Sequence, residues 1–84
     1  MILGYQNAMP IIQTTEILEI LEKNSGSYIQ HSMGNYKLKN KDGSDMVKTD
    51  ENGNYLIEPT KEMIDDLIYL RKLTVYDTNK YKLF

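Results

Sequence analysis

The sequence predicts an α+β fold. It should be a small single domain with an antiparallel sheet of three to five strands, two amphipathic helices at about 14–24 and 60–73, and a C-terminal β-hairpin at 74–84. Three observations predict this. Apolar residues recur at helical spacing in two stretches, the pattern between them has a period of two, and glycine-containing turn signals interrupt that middle region. The 84 residues suit one domain spanning the whole chain. A chain of this size buries roughly 60–65% of its unfolded surface, which leaves a thin stability margin.

Residues 1–13 are apolar and irregular, broken by Gly4 and Pro10, with a strand expected near residues 2–6. Thr14 or Thr15 then offers a hydroxyl cap, and Glu16 places a carboxylate in the first turn, at the positive end of the helix dipole. Ile17, Leu18, Ile20 and Leu21 form the apolar stripe of a three-turn helix, which Asn24-Ser25-Gly26 should stop.

From Ser27 to Glu58 the chain alternates. Tyr28 and Gln30 are interleaved with Ile29 and His31, Tyr36 and Leu38 with Lys37 and Lys39, and Tyr55 and Ile57 flank Leu56. Ser32-Met33-Gly34-Asn35, Asp42-Gly43 and Asn52-Gly53 supply the positive φ angles of tight hairpins, so a meander of three or four strands is expected. Gly34-Asn35-Tyr36 and Gly53-Asn54-Tyr55 both read as a turn exit feeding a strand whose aromatic packs inward. The second helix starts at Thr60 after Pro59, with Glu62 in its first turn. Met63, Ile64, Leu67, Ile68, Leu70 and Leu73 make an apolar arc too wide for one contact. The final hairpin or a second subunit, giving a homodimer, could cover the excess.

Composition narrows the chemistry. With 40% hydrophobic and 26% charged residues, the chain is globular in character. The absence of cysteine excludes disulfides, thiolate nucleophiles and Cys-based metal sites. No apolar run approaches the ~20 residues that span a bilayer, and Met1-Ile2-Leu3-Gly4-Tyr5 lacks a signal peptide's basic start, so a cytoplasmic location without a membrane partner is expected.

His31, the single histidine, has Ser27 and Ser32 nearby but no orienting carboxylate at useful spacing. Asp42, Asp45, Asp50 and Glu51 lack the ligand spacing of a calcium loop and read as turn residues. The scattered glycines form no phosphate loop. Neither catalytic residues, a metal site nor a cofactor is expected, and the protein reads as a non-enzyme.

Two resemblances accompany this reading. Ile17–Lys23 as helix and Tyr28-Ile29-Gln30-His31 as strand precede Ser32-Met33-Gly34-Asn35-Tyr36-Lys37-Leu38 and Lys41-Asp42-Gly43. Together these segments resemble the HicA family of mRNA-cleaving toxins. The resemblance implies an α-β-β-β-α fold over about residues 14–72. That family opens its second strand with Gly-Ser-His, where this chain has Met33-Gly34-Asn35, and His31 falls one strand earlier, so no catalytic residue carries over. Separately, Leu70-Arg71-Lys72-Leu73-Thr74-Val75-Tyr76 with Tyr81-Lys82-Leu83 resembles the distal helix and wing of winged-helix domains, although residues 27–58 read as strands where such a domain needs another helix.

Charge layout is the strongest functional clue. Residues 1–26 carry −2, 27–49 carry +2, 50–66 carry −5 and 67–84 carry +3. Lys37, Lys39, Arg71, Lys72, Lys80 and Lys82, interleaved with Tyr36, Tyr76 and Tyr81, suit contact with a phosphate backbone. A pI near 5.3 and a single arginine argue against groove reading. The leading expectation is a nucleic-acid-binding accessory or regulatory protein that uses helix 60–73 and the C-terminal hairpin on duplex DNA. The alternative is a protein-binding inhibitor or adaptor of phage or mobile-element type. Its interface would be the acidic 50–66 face, with Glu62, Asp65 and Asp66.

Overall fold

The computed structural model describes residues 13–84, so the strand expected near residues 2–6 lies outside them. The elements run α1 (Thr14–Lys23), β1 (Tyr28–Ser32), β2 (Asn35–Lys39), β3 (Val47–Asp50), β4 (Gly53–Leu56), α2 (Lys61–Tyr69), β5 (Leu73–Tyr76) and β6 (Lys80–Leu83). This is the α+β domain that the alternation of periods implies.

The helices form for local reasons. Helix α1 opens on Gln13, whose side chain makes no capping hydrogen bond, so neither threonine serves as the expected cap. It closes at Asn24, whose Nδ2 donates to the Ile20 carbonyl at 2.8 Å. Helix α2 begins at Lys61, one residue after the expected start, and Thr60 caps it, because the Met63 amide donates to Thr60 Oγ1 at 3.2 Å. The far end departs from expectation, since the helix stops at Tyr69 rather than at 73. Arg71 takes a left-handed φ of 60°, its amide donates to the Ile68 carbonyl, and the Lys72 amide donates to the Leu67 carbonyl. These two bonds form a Schellman closure. Leu73, which continues the helical arc in the sequence, instead pairs with Leu83 as the first residue of β5.

The expected continuous meander is divided. β1 and β2 form a hairpin closed by Met33 (φ 53°) and Gly34 (φ 83°), the two positive angles of a primed turn. β3 and β4 form a separate two-stranded ribbon. The C-terminal hairpin β5–β6, one residue offset from the expected 74–84, comes back to lie against β1. The main sheet therefore has the order β2-β1-β6-β5, antiparallel throughout. This is neither the α-β-β-β-α order implied by the toxin resemblance nor a winged helix, because four strands precede α2.

Side chains on one side of the main sheet make the core. Ile29, Tyr36, Leu38 and Leu73 from the strands meet Ile17 and Leu21 of α1, Ile64 and Leu67 of α2, and Met46 and Ile57 beside the small ribbon. Two backbone bonds tie the residues flanking the ribbon to β2, Met46 N–H to the Leu38 carbonyl (2.9 Å) and Leu38 N–H to the Ile57 carbonyl (3.3 Å), and a third joins those flanks, Ile57 N–H to the Met46 carbonyl (3.3 Å). Both helices and the ribbon thus gather on the same side of the sheet. The opposite side carries no element among the described residues.

One turn is strained. Between the Tyr76–Lys80 pair, Asp77 and Thr78 both adopt left-handed φ angles, 49° and 58°. A β-branched residue pays about 1–2 kcal/mol for that conformation, whereas glycine adopts it freely at some entropic cost. Thr78→Gly should therefore raise stability by about 1 kcal/mol and the melting midpoint by several degrees in a thermal denaturation followed by circular dichroism. A lowered midpoint would contradict the turn geometry.

Candidate functional site

Strand side chains alternate between the two faces of a sheet, so the pairing register assigns every residue to one side. Ile29 stands opposite Leu38 and Tyr81, and all three face the core side. Gln30, the next residue of β1, stands opposite Lys37 on one neighbour and Lys80 on the other, and Lys80 stands opposite Tyr76. This makes an outward row Lys37–Gln30–Lys80–Tyr76. Two residues along each strand is a second outward row, in which Tyr28 pairs with Lys39 and Thr74 with Lys82.

Four cations, two from the middle of the chain and two from its C-terminal hairpin, therefore share one open face. The lysine-bearing strands β2 and β6 flank β1 and so stand ~10 Å apart, and i, i+2 residues lie ~7 Å apart, so the lysines mark the corners of a quadrilateral with Gln30 and Tyr28 between them. Lys37 and Lys82 have no carboxylate within ion-pair distance among the described residues. Lys39 pairs with Asp45, and Lys80 lies 3.5 Å from Asp77. Lys39's hydrogen bond holds the Asp45 carboxyl below the usual carboxylate range. Both carboxylates sit at exposed positions on the margin of the face, where such pairs exchange readily with solvent and contribute little to stability.

Tyr28 and Tyr76 meet edge to face at a centroid separation of 6.4 Å, above the intervening strand β6. Lys80 Nζ lies 5.3 Å from the centre of the Tyr28 ring and Lys82 Nζ lies 5.1 Å from that of Tyr76. Burial pushes the Tyr76 phenol above its ordinary range. Beside the rings, Gln30, Ser32, Met33, Asn35, Lys37 and Lys39 line an open depression of about 340 Å³. Met33 at its rim is 98% exposed.

The other site residues expected from sequence lie elsewhere. Arg71 and Lys72 are exposed in the closure between α2 and β5, at the end of the sheet, and α2 itself is on the covered side. Arg71 occupies a left-handed position where glycine costs least, so its presence there is not explained by the helix closure. Glu62, Asp65 and Asp66 are exposed on α2, with Asp65 held 2.8 Å from Lys61. Ile68 and Leu70 are the part of the apolar arc left exposed among the described residues, and Tyr69, from outside that arc, is exposed beside them.

Of the tyrosines expected among the lysines, only Tyr76 is on the open face. Tyr36 is buried and Tyr81 pairs inward, because both share strand parity with Leu38 and Ile29. Tyr28 and Gln30 take the places beside the lysines. Their parity, opposite to that of Ile29, was visible in the sequence. What was missing was the partner strand β6.

His31 stacks on Tyr36, with ring centroids 4.3 Å apart and planes within 5°, on the core side. Ser27 lies four residues away along the strand direction, about 13 Å, with its buried hydroxyl unpartnered, and Ser32 faces the other side. No serine–histidine pair forms. The acidic turn is structural: Asp42 Oδ1 accepts from the Ser44 amide (2.9 Å) and hydroxyl (2.6 Å), which lowers its pKa. Among the described residues, no group of three or more His, Asp or Glu side chains could hold a metal ion, and no helix is long and apolar enough to cross a membrane.

Compared with models of protein families, with curated proteins and with solved structures, the chain has no significant match.

Tyr36 permits a titration test of the covered side. Burial first, then the Tyr81 phenol and the Asp65 carboxylate, raise its pKa above that of an exposed phenol. Folding therefore favours the neutral form. That contribution is complete below the unfolded pKa of about 10 and is lost as pH rises through the folded value. Stability in urea should fall above pH ~10, and Tyr36→Phe should flatten that fall. An unchanged alkaline profile in the variant would place Tyr36 outside the core.

Proposed function

We propose that this protein is a small non-enzymatic binding module that holds a nucleic acid on the open face of its four-stranded sheet. One observation carries the reading. Lys37, Lys39, Lys80 and Lys82 belong to hairpins some forty residues apart in the sequence, yet the β1–β6 pairing brings them onto one surface. Four lysines on a face that no helix or strand covers among the described residues make a positive field that favours an anionic ligand, and two of them, Lys37 and Lys82, have no carboxylate within ion-pair distance among those residues. The sheet, rather than helix α2, is the contact element in this reading, with Arg71 and Lys72 extending the positive field at its end.

Neutralising about four phosphates gives a slope of roughly −3 in log affinity against log salt. Fluorescence anisotropy with a labelled oligonucleotide at several potassium chloride concentrations should return that slope. Lys37→Ala and Lys82→Ala should each reduce it by about 0.7–0.9. Lys61→Ala, on the other side of the domain, should leave it unchanged. Absence of binding at low ionic strength, or an equal loss from Lys61→Ala, would remove the proposal.

A protein-binding role has a separate surface in its favour. Tyr69 and Leu70 are 86% and 58% exposed at the end of the helix that also presents Glu62, Asp65 and Asp66. A basic protein partner, or a second copy, would use this mixed apolar and acidic patch. Charge reversal at Asp65 and Asp66 should then abolish capture of such a partner while the circular dichroism spectrum stays native. Retained capture would exclude the patch.

A further inference from the structure

The open face is more specific than a patch of charge. We infer that its ligand is a single-stranded nucleic acid whose unpaired bases stack on Tyr28 and Tyr76, an inference that rests on the nucleic-acid reading above. The lysines alone would serve a duplex as well as a single strand, since both present phosphates. The tyrosines would not. In a duplex the base faces are covered by their neighbours, so two aromatic rings at the centre of the phosphate-binding surface have nothing to stack on.

Three features of the face agree with unpaired bases. The two rings meet over the middle of the sheet, 6.4 Å apart, and the cations resting on them are flexible lysines that can swing away to phosphates as a base arrives. Next to them, the depression of about 340 Å³ is lined by Gln30, Asn35 and Ser32, whose amides and hydroxyl can meet the donors and acceptors along a base edge. Finally, among the described residues no helix or strand projects from this side as a groove reader. Both helices pack on the other side of the sheet, and the face carries lysine where guanine recognition in a groove favours arginine.

The Lys39–Asp45 and Lys80–Asp77 pairs fit the same picture. They neutralise two of the four lysines in the free protein, and a strand running across the rings offers phosphates in place of those carboxylates. A ligand contacting Lys80 would thus compete both with Asp77 and with the Tyr28 ring.

The test titrates the full chain with three labelled probes of matched charge: a mixed-sequence single-stranded oligonucleotide, the same sequence as a duplex, and poly-glutamate. The single strand should bind at least tenfold more tightly than the duplex. Tyr28→Ala and Tyr76→Ala should each weaken it by roughly five- to hundredfold, while Tyr28→Phe and Tyr76→Phe, which keep the ring, stay within about twofold of the parent. Duplex binding equal to or tighter than the single strand, or alanine variants that bind as the parent does, would overturn stacking and leave the charge-based reading standing. Poly-glutamate binding equal to the single strand would reduce the face to a general polyanion site and overturn the inference. No binding of either nucleic acid at low salt would remove both proposals.

Discussion

The short antiparallel match between β1 and β6 is the contact on which the rest of the molecule depends. Its two registered pairs point in opposite directions: Ile29 with Tyr81 into the core, and Gln30 with Lys80 onto the open face. The turn beyond β5 reinforces it, since the Asn79 carbonyl accepts from the His31 amide at 2.9 Å and the Asn79 side chain donates to the His31 carbonyl at 3.3 Å. Without this match the main sheet would be two separate hairpins, and an isolated hairpin is marginal in water. With it, one sheet wide enough to be covered by two helices exists. The cost is closure of a loop of about fifty residues, a cost that grows only slowly with length.

The two sides of the sheet then serve different ends. The covered side concentrates the apolar residues of every element, and six of them, Ile17, Ile29, Leu38, Ile64, Leu67 and Leu73, are almost wholly removed from water. At roughly 1.5–3 kcal/mol each, this set supplies much of the stabilisation available to so short a chain. On the open side, four lysines stand within reach of one another, and in the turns at its ends Thr78 and Arg71 occupy left-handed positions better suited to glycine. These features do not help the fold. Their cost is small enough for the core to carry, and a surface that folding does not explain is where binding is most reasonably sought.

Local signals in the sequence were legible and distant ones were not. The Met33-Gly34 turn, the Thr60 cap and the alternation through β1 and β2 follow from the chemistry of neighbouring residues, and each is present in the structure. The end of α2 is masked in the sequence because Leu70 and Leu73 keep helical spacing. Only the pairing of Leu73 with Leu83, a tertiary contact, shows that the helix stops earlier. The same limit applied to the site. Lys37, Lys39, Lys80 and Lys82 could be picked out as basic strand residues, but their shared face depends on which strands are neighbours. Tyr36 and Tyr81 were grouped with them by closeness in sequence, although strand parity turns both toward the core.

The most direct measurement is a set of nuclear Overhauser contacts across the β1–β6 boundary in the free protein. Backbone proton contacts linking Gln30 to Lys80 and Ile29 to Tyr81, together with side-chain contacts between the Tyr28 and Tyr76 rings, are the predicted result. If the 80–83 strand gave no contacts to β1, or paired with β2 or the β3–β4 ribbon instead, the lysines would not share a face and the account would be wrong.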